Sequence, residues 1–117
     1  MPLEDCALRI LATVVSTPTP ARAILDTGSK ALTSDLAVGA TGYGYLVEHP
    51  EAHVERLNEE HGIVDVSACE SRPRIGDRVS IIPNHACAAT NLYDELVLHR
   101  GGEVVDTLPI AARGRLR

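Results

Sequence analysis

Apolar residues along this chain come in short runs that stop at glycine, proline or aspartate, and almost none repeat at a helical spacing. From Cys6 to Ser16 branched and small apolar types follow one another until Thr17-Pro18-Thr19-Pro20. Proline has no N–H for a ladder, so this pattern predicts a strand that ends there. A second run, Ala21 to Leu25, stops at Asp26-Thr27-Gly28, and Ser29 to Gly39 reads as a loop or one turn of helix. Gly42 to Val47 predicts a strand whose glycines allow a bulge or the close approach of another backbone. Val54 and Leu57 have helical spacing, yet His61-Gly62 followed by Ile63-Val64-Asp65-Val66 favours a hairpin from His53 onward.

Further on, Gly76-Asp77 forms a turn before the apolar run Val79 to Ile82, which Pro83 ends. Leu92 to His99 and Glu103 to Leu108 flank Arg100-Gly101-Gly102, and glycine's tolerance of positive φ predicts a second hairpin. Roughly six to eight short strands at this spacing predict an all-β, mainly antiparallel fold, a small barrel or sandwich. No repeat or linker divides the 117 residues, so residues 1–117 are expected to form a single domain.

Composition narrows the chemistry. Tyr43, Tyr45 and Tyr93 are the only aromatic residues, so the core must come from Val, Ile, Leu and Ala, and stacking on nucleic-acid bases is a poor fit. Ten Arg and one Lys stand against 16 Asp and Glu, for a net charge of -5, which argues against nucleic acid as a partner. A Schiff base to a carbonyl cofactor has Lys30 as its one site. Three cysteines, Cys6, Cys69 and Cys87, behind a start that lacks signal-peptide character fit free thiols in the cytoplasm. The apolar run from Ile10 to Val15 is too short to cross a bilayer, so no membrane is expected as a partner.

Three places carry candidate chemistry. Ile24-Leu25-Asp26-Thr27-Gly28 resembles the signature of aspartic proteases, in which two chains would each supply one aspartate to a shared proton. The competing reading makes Asp26 and Gly28 an ordinary strand-ending turn, and the second protease hallmark, an apolar pair leading into glycine near the chain end, is missing. In Pro83-Asn84-His85-Ala86-Cys87, an extended backbone would point His85 and Cys87 the same way, as two good zinc ligands. Taken alone, a His-x-Cys pair is more often accidental. Glu60-His61 with His49, His53 and His99 forms a third group, whose members flank turns and need no special role.

Several segments in order tie these places together: Leu11 to Ser16, Ile24 to Lys30, Glu59-Glu60-His61-Gly62, Gly76 to Val79, Pro83 to Cys87, Asn91-Leu92-Tyr93-Asp94 and Ala112-Arg113-Gly114. Their order and spacing resemble the C-terminal domain of the D-serine dehydratase and D-threonine aldolase family, relatives of alanine racemase. The resemblance covers nearly the whole chain. It implies a β-domain that closes the active site of an N-terminal β/α barrel carrying pyridoxal 5'-phosphate (PLP) on a lysine, and that barrel is not in this chain. It also implies that His85 and Cys87 hold a divalent metal, with Asn84, Asn91 and Tyr93 as supporting residues, and the cysteine shifts the expected metal toward zinc.

The cofactor would serve as electron sink for the α-carbon of a D-hydroxy-amino acid while the metal acts on its β-hydroxyl, giving a dehydratase or an aldolase. Cys87 leans the reading toward the dehydratase. Lys30 belongs to the Asp-x-Gly-x-Lys segment, so by resemblance it is not the cofactor lysine, and the isolated domain is expected to be inactive and to bind PLP only together with the barrel. A homo-oligomer is the family-level expectation. The alternative from another class is a free-standing metal-binding or interaction β-domain that works with a separately encoded barrel protein.

Overall fold

A computed structural model describes residues 6–33, 42–84 and 86–111. Among the described residues, eight strands and two short helices follow one another as β1 (Ile10–Thr19), β2 (Arg22–Leu25), α1 (Ser29–Leu32), β3 (Tyr45–Leu46), β4 (His53–Leu57), β5 (Gly62–Asp65), β6 (Arg78–Ile82), α2 (Ala86–Thr90), β7 (Glu95–Arg100) and β8 (Glu103–Pro109). Six strands form one antiparallel sheet in the order β3-β6-β1-β2-β5-β4, and β7 pairs with β8 alone. The all-β expectation holds, in its barrel form. The edge strands come together, and Tyr43 N–H donates to Val54 O at 3.0 Å across the seam, so the sheet nearly closes.

Alternation explains the interior. On β1, Ile10, Ala12 and Val14 point inward, whereas Leu11 and Val15 face out. Leu25, Leu46, Val54, Val64, Val79 and Ile81 complete an aliphatic core with Cys69, and none of these is aromatic. Each fully buried Leu or Ile contributes roughly 1.5–3 kcal/mol relative to exposure. Burial also raises the pKa of the Cys69 thiol. The sequence reading did not place this cysteine in the core.

Several strand boundaries differ from expectation, β1 starting at Ile10 and β7 at Glu95, and two of the differences have a clear local cause. β1 continues through Pro18 to Thr19, because its pairing with β2 is irregular between Val14 and Thr19 and asks for no donor at the proline. β3 shrinks to Tyr45–Leu46, since Gly42 and Gly44 adopt φ of 85° and 94°, outside strand geometry. A Cβ on Gly42 would lie 2.6 Å from Val54 O, which is the close backbone approach the glycines suggested. Both expected hairpins form, β4–β5 and β7–β8, the latter through Gly101 and Gly102 at positive φ.

Candidate functional site

The strand directions bring α1, α2 and the β4–β5 turn to one end of the barrel. Most segments singled out in the sequence meet there. Just past β2, Asp26 Oδ1 accepts the Thr13 N–H at 2.8 Å, while Asp26 N–H donates to Thr13 O at 3.1 Å. Asp26 therefore closes the β1–β2 pairing, the structural occupation that the turn reading gives it.

Gly28 passes so close to the β4–β5 turn that an added Cβ would collide with Asn58 O and lie 2.6 Å from Glu59 O. Ser29 N–H donates to Asn58 O at 2.8 Å and Lys30 N–H to Glu59 O at 3.1 Å, which fixes the approach. Asn58 also shapes its own turn, its Oδ1 accepting the N–H of Glu60 at 3.0 Å and of His61 at 2.7 Å. Across the same contact, Lys30 Nζ donates to Glu60 Oε1 at 2.7 Å. This bond and its charge raise the Lys30 pKa and lower that of Glu60, although both side chains are exposed and screened by solvent. The Asp-x-Gly-x-Lys and Glu-Glu-His-Gly segments are thus two halves of one contact.

Downstream of β6 the chain does not stay extended. Asn84 sits at a bend and α2 starts at Ala86, so strand alternation does not orient Cys87, and His85 lies outside the described residues. Alanine-rich sequence after Pro83-Asn84 is a helix-start signal, but five residues are too few to show a period. Cys87 is exposed on α2, beside a small cavity of about 340 Å³ that Ala86, Thr90, Asn91 and Ile110 also line.

Asn84 clamps the Gly42–Gly44 arch: its Nδ2 donates to Gly42 O at 2.9 Å and its Oδ1 accepts the Gly44 N–H at 3.1 Å. Tyr93 donates its hydroxyl to Ala31 O at 3.0 Å, joining the tail of α2 to α1, and burial raises its pKa. Cys87 and Asn91 thus border the cavity, while Asn84 ties the end of β6 to the Gly42–Gly44 arch and Tyr93 ties the tail of α2 to α1. His49, His53, His61 and His99 are dispersed over the β3–β4 connection, β4, the β4–β5 turn and β7. Among the described residues no three His, Cys, Asp or Glu side chains gather as a metal site.

A family model described as "Putative serine dehydratase domain" matches residues 7–99. The chain belongs to this D-serine dehydratase-like family. The dehydratase-like domain is 40% identical over 115 residues to an uncharacterised protein of Mycobacterium tuberculosis (strain ATCC 25618 / H37Rv), covering 95% of this chain and 86% of that one. It is 37% identical over 108 residues to the D-threonine aldolase of an Arthrobacter species, covering 92% of this chain and 27% of the aldolase. The domain therefore spans about a quarter of that enzyme.

Among solved structures, a D-threonine aldolase from Filomicrobium marinum superposes with a TM-score of 0.81 at 28% identity, over 93% of this chain and 29% of the enzyme. A metal-free D-threo-3-hydroxyaspartate dehydratase carrying a cysteine-to-alanine change gives 0.79 at 29% identity, over 91% and 32%. The dehydratase has also been solved with a histidine two positions before that cysteine changed to alanine. Among the described residues of the domain, no helix is long and apolar enough to cross a membrane.

Proposed function

We propose that this domain is the metal-bearing β-part of a PLP-dependent lyase acting on D-hydroxy-amino acids, with His85 and Cys87 holding zinc. The supporting observation is Cys87, exposed at the cavity beside α2, in a family that includes a dehydratase solved as a cysteine-to-alanine variant in its metal-free form. A thiolate is a soft donor that suits zinc, and Asn91 and Thr90 supply polar groups on the same cavity wall. Bound zinc would supply Lewis acidity toward the substrate's β-hydroxyl. The domain's own residues set the geometry: α2 presents Cys87, the Tyr93–Ala31 bond fixes the tail of α2 against α1, and Asn84, just ahead of α2 in the chain, is clamped to the Gly42–Gly44 arch.

Lys30 is not the cofactor lysine in this reading. Its ammonium is engaged by Glu60 across the contact between α1 and the β4–β5 turn, which gives the side chain a structural occupation. PLP belongs instead to a β/α-barrel partner, which matches the roughly three quarters of the Arthrobacter aldolase that lie outside the similarity. The mycobacterial relative favours a second reading, because a chain only slightly longer than the match carries the domain without a covalently attached barrel. In-frame sequence upstream of this gene separates the two: a barrel gives one polypeptide, a stop codon gives a separate subunit.

The metal assignment is tested by equilibrium dialysis of the chain against zinc, comparing wild type with His85→Ala and Cys87→Ala. Wild type should take up zinc, and each variant should lose most of it. Equal zinc in all three removes the site.

A further inference from the structure

The opposite end of the barrel, where β1 and β5 finish and β2 and β6 begin, carries a separate feature. There the β1–β2 turn, Val66 and the segment before β6 enclose an open cleft of about 650 Å³ lined by Thr17, Thr19, Arg22, Arg72, Arg74 and Ile75, with three prolines between them. That volume lies within the range of small-molecule sites, roughly 300–1,000 Å³. Three of the ten arginines converge on this wall, and no carboxylate lines it, although acidic residues outnumber basic ones in the chain.

Two of the neighbouring acids are engaged by backbone N–H groups, and a third already answers Arg22. Asp77 Oδ2 accepts the backbone N–H of Arg74 at 2.9 Å, and Asp65 Oδ1 accepts that of Ser67 at 2.9 Å. Glu55 pairs with Arg22, at 3.5 Å. Among the described residues neither Arg72 nor Arg74 has a carboxylate partner within 4 Å. Arg72 and Arg74 thus line, without a carboxylate partner among the described residues, a cleft whose walls Pro18, Pro20 and Pro73 hold in fixed backbone conformations.

We infer that this cleft binds a small organic anion carrying two or more carboxylate or phosphate groups on a short frame. Arg72 and Arg74 grip the anionic groups bidentately, Thr17 and Thr19 offer hydroxyl donors, and Val66 with Ile75 takes the apolar part. The cleft is independent of Cys87, since β6 separates the segment holding Arg72 and Arg74 from α2.

The test is calorimetric titration of the whole chain with citrate and, separately, with inorganic pyrophosphate at constant ionic strength. At least one should bind one-to-one with a Kd of about 1 mM or tighter, and the stronger of the two identifies carboxylate or phosphate as the preferred group. Arg72→Gln and Arg74→Gln should each weaken that binding about tenfold, with circular dichroism unchanged, while Arg100→Gln in β7 should leave it intact. If a glutamine variant fails to fold, Arg72→Lys and Arg74→Lys keep the charge and remove the planar fork, and should still weaken binding. Absence of binding by both probes, or arginine variants that bind as wild type does, overturns the inference.

Discussion

The six-stranded barrel and the β7–β8 hairpin use the same aliphatic residue types and differ in what covers them. In the barrel, strand alternation sends Val14, Leu25, Val54, Val64 and Ile81 into one shared interior where each is at most 1% exposed. In the hairpin, Val97, Val104 and Val105 are 54%, 67% and 57% exposed, and Leu98 and Leu108 are exposed as well. A lone two-stranded ribbon is marginal in water, and this one is fastened at its base by Ile110 N–H to Asp94 O at 2.8 Å. The difference separates two settings of apolar surface: one region stabilises the fold, the other leaves aliphatic side chains in water on both sides of the ribbon.

The largest effect that tests this contrast is in the interior. Leu25→Ala removes a side chain packed on all sides, and should cost about 2–5 kcal/mol of stability in urea unfolding. A loss below about 1 kcal/mol would mean that the interior collapses around the gap, and the contrast with the hairpin would weaken.

How much of this was legible in the sequence depended on range. The β4–β5 and β7–β8 hairpins were readable because Gly62, Gly101 and Gly102 sit next to apolar runs, and local chemistry sets a turn. The barrel class followed from many short runs with no helical period. The five-residue α2 was not readable, since a single turn leaves no period, and β3 was overestimated because the positive φ of Gly44 cannot be seen in a sequence. At the candidate site, Cys87 was visible as half of a motif, but its helical setting was not. The pairing of Lys30 with Glu60 and the convergence of Arg22 with Arg72 and Arg74 were hidden for one reason: the partners lie 30 and about 50 positions apart, and only the fold brings them together.

A middle-sized effect is expected at the joint between the two regions. Tyr93 stands between α2 and β7 and donates its hydroxyl to Ala31 O, so Tyr93→Phe should cost about 1 kcal/mol. Burial raises the phenol's pKa above its ordinary value near 10, so the folded state holds the proton longer than the unfolded state does. The stability this supplies is complete below pH ~10 and falls as pH rises through the folded-state value. Unfolding measured from pH 8 to 11 should therefore show a smaller alkaline loss in Tyr93→Phe than in wild type. Identical slopes would detach Tyr93 from the joint.

The smallest change in stability should come from the hairpin itself. Val97 and Val104 lie on the two paired strands, and both already face water, so Val97→Ser with Val104→Ser removes little that folding buries. Each substitution should shift stability by no more than about 0.5 kcal/mol. What should change is the surface: fluorescence of an apolar dye such as ANS, which reports exposed hydrophobic area, should be visible with wild type and drop in the double variant. The two readouts must be taken together. Lower dye binding at unchanged stability means that the hairpin's aliphatic residues belong to the surface and not to the core. A stability loss matching that of Leu25→Ala would instead make the hairpin part of the core, and the distinction between the two regions would fail.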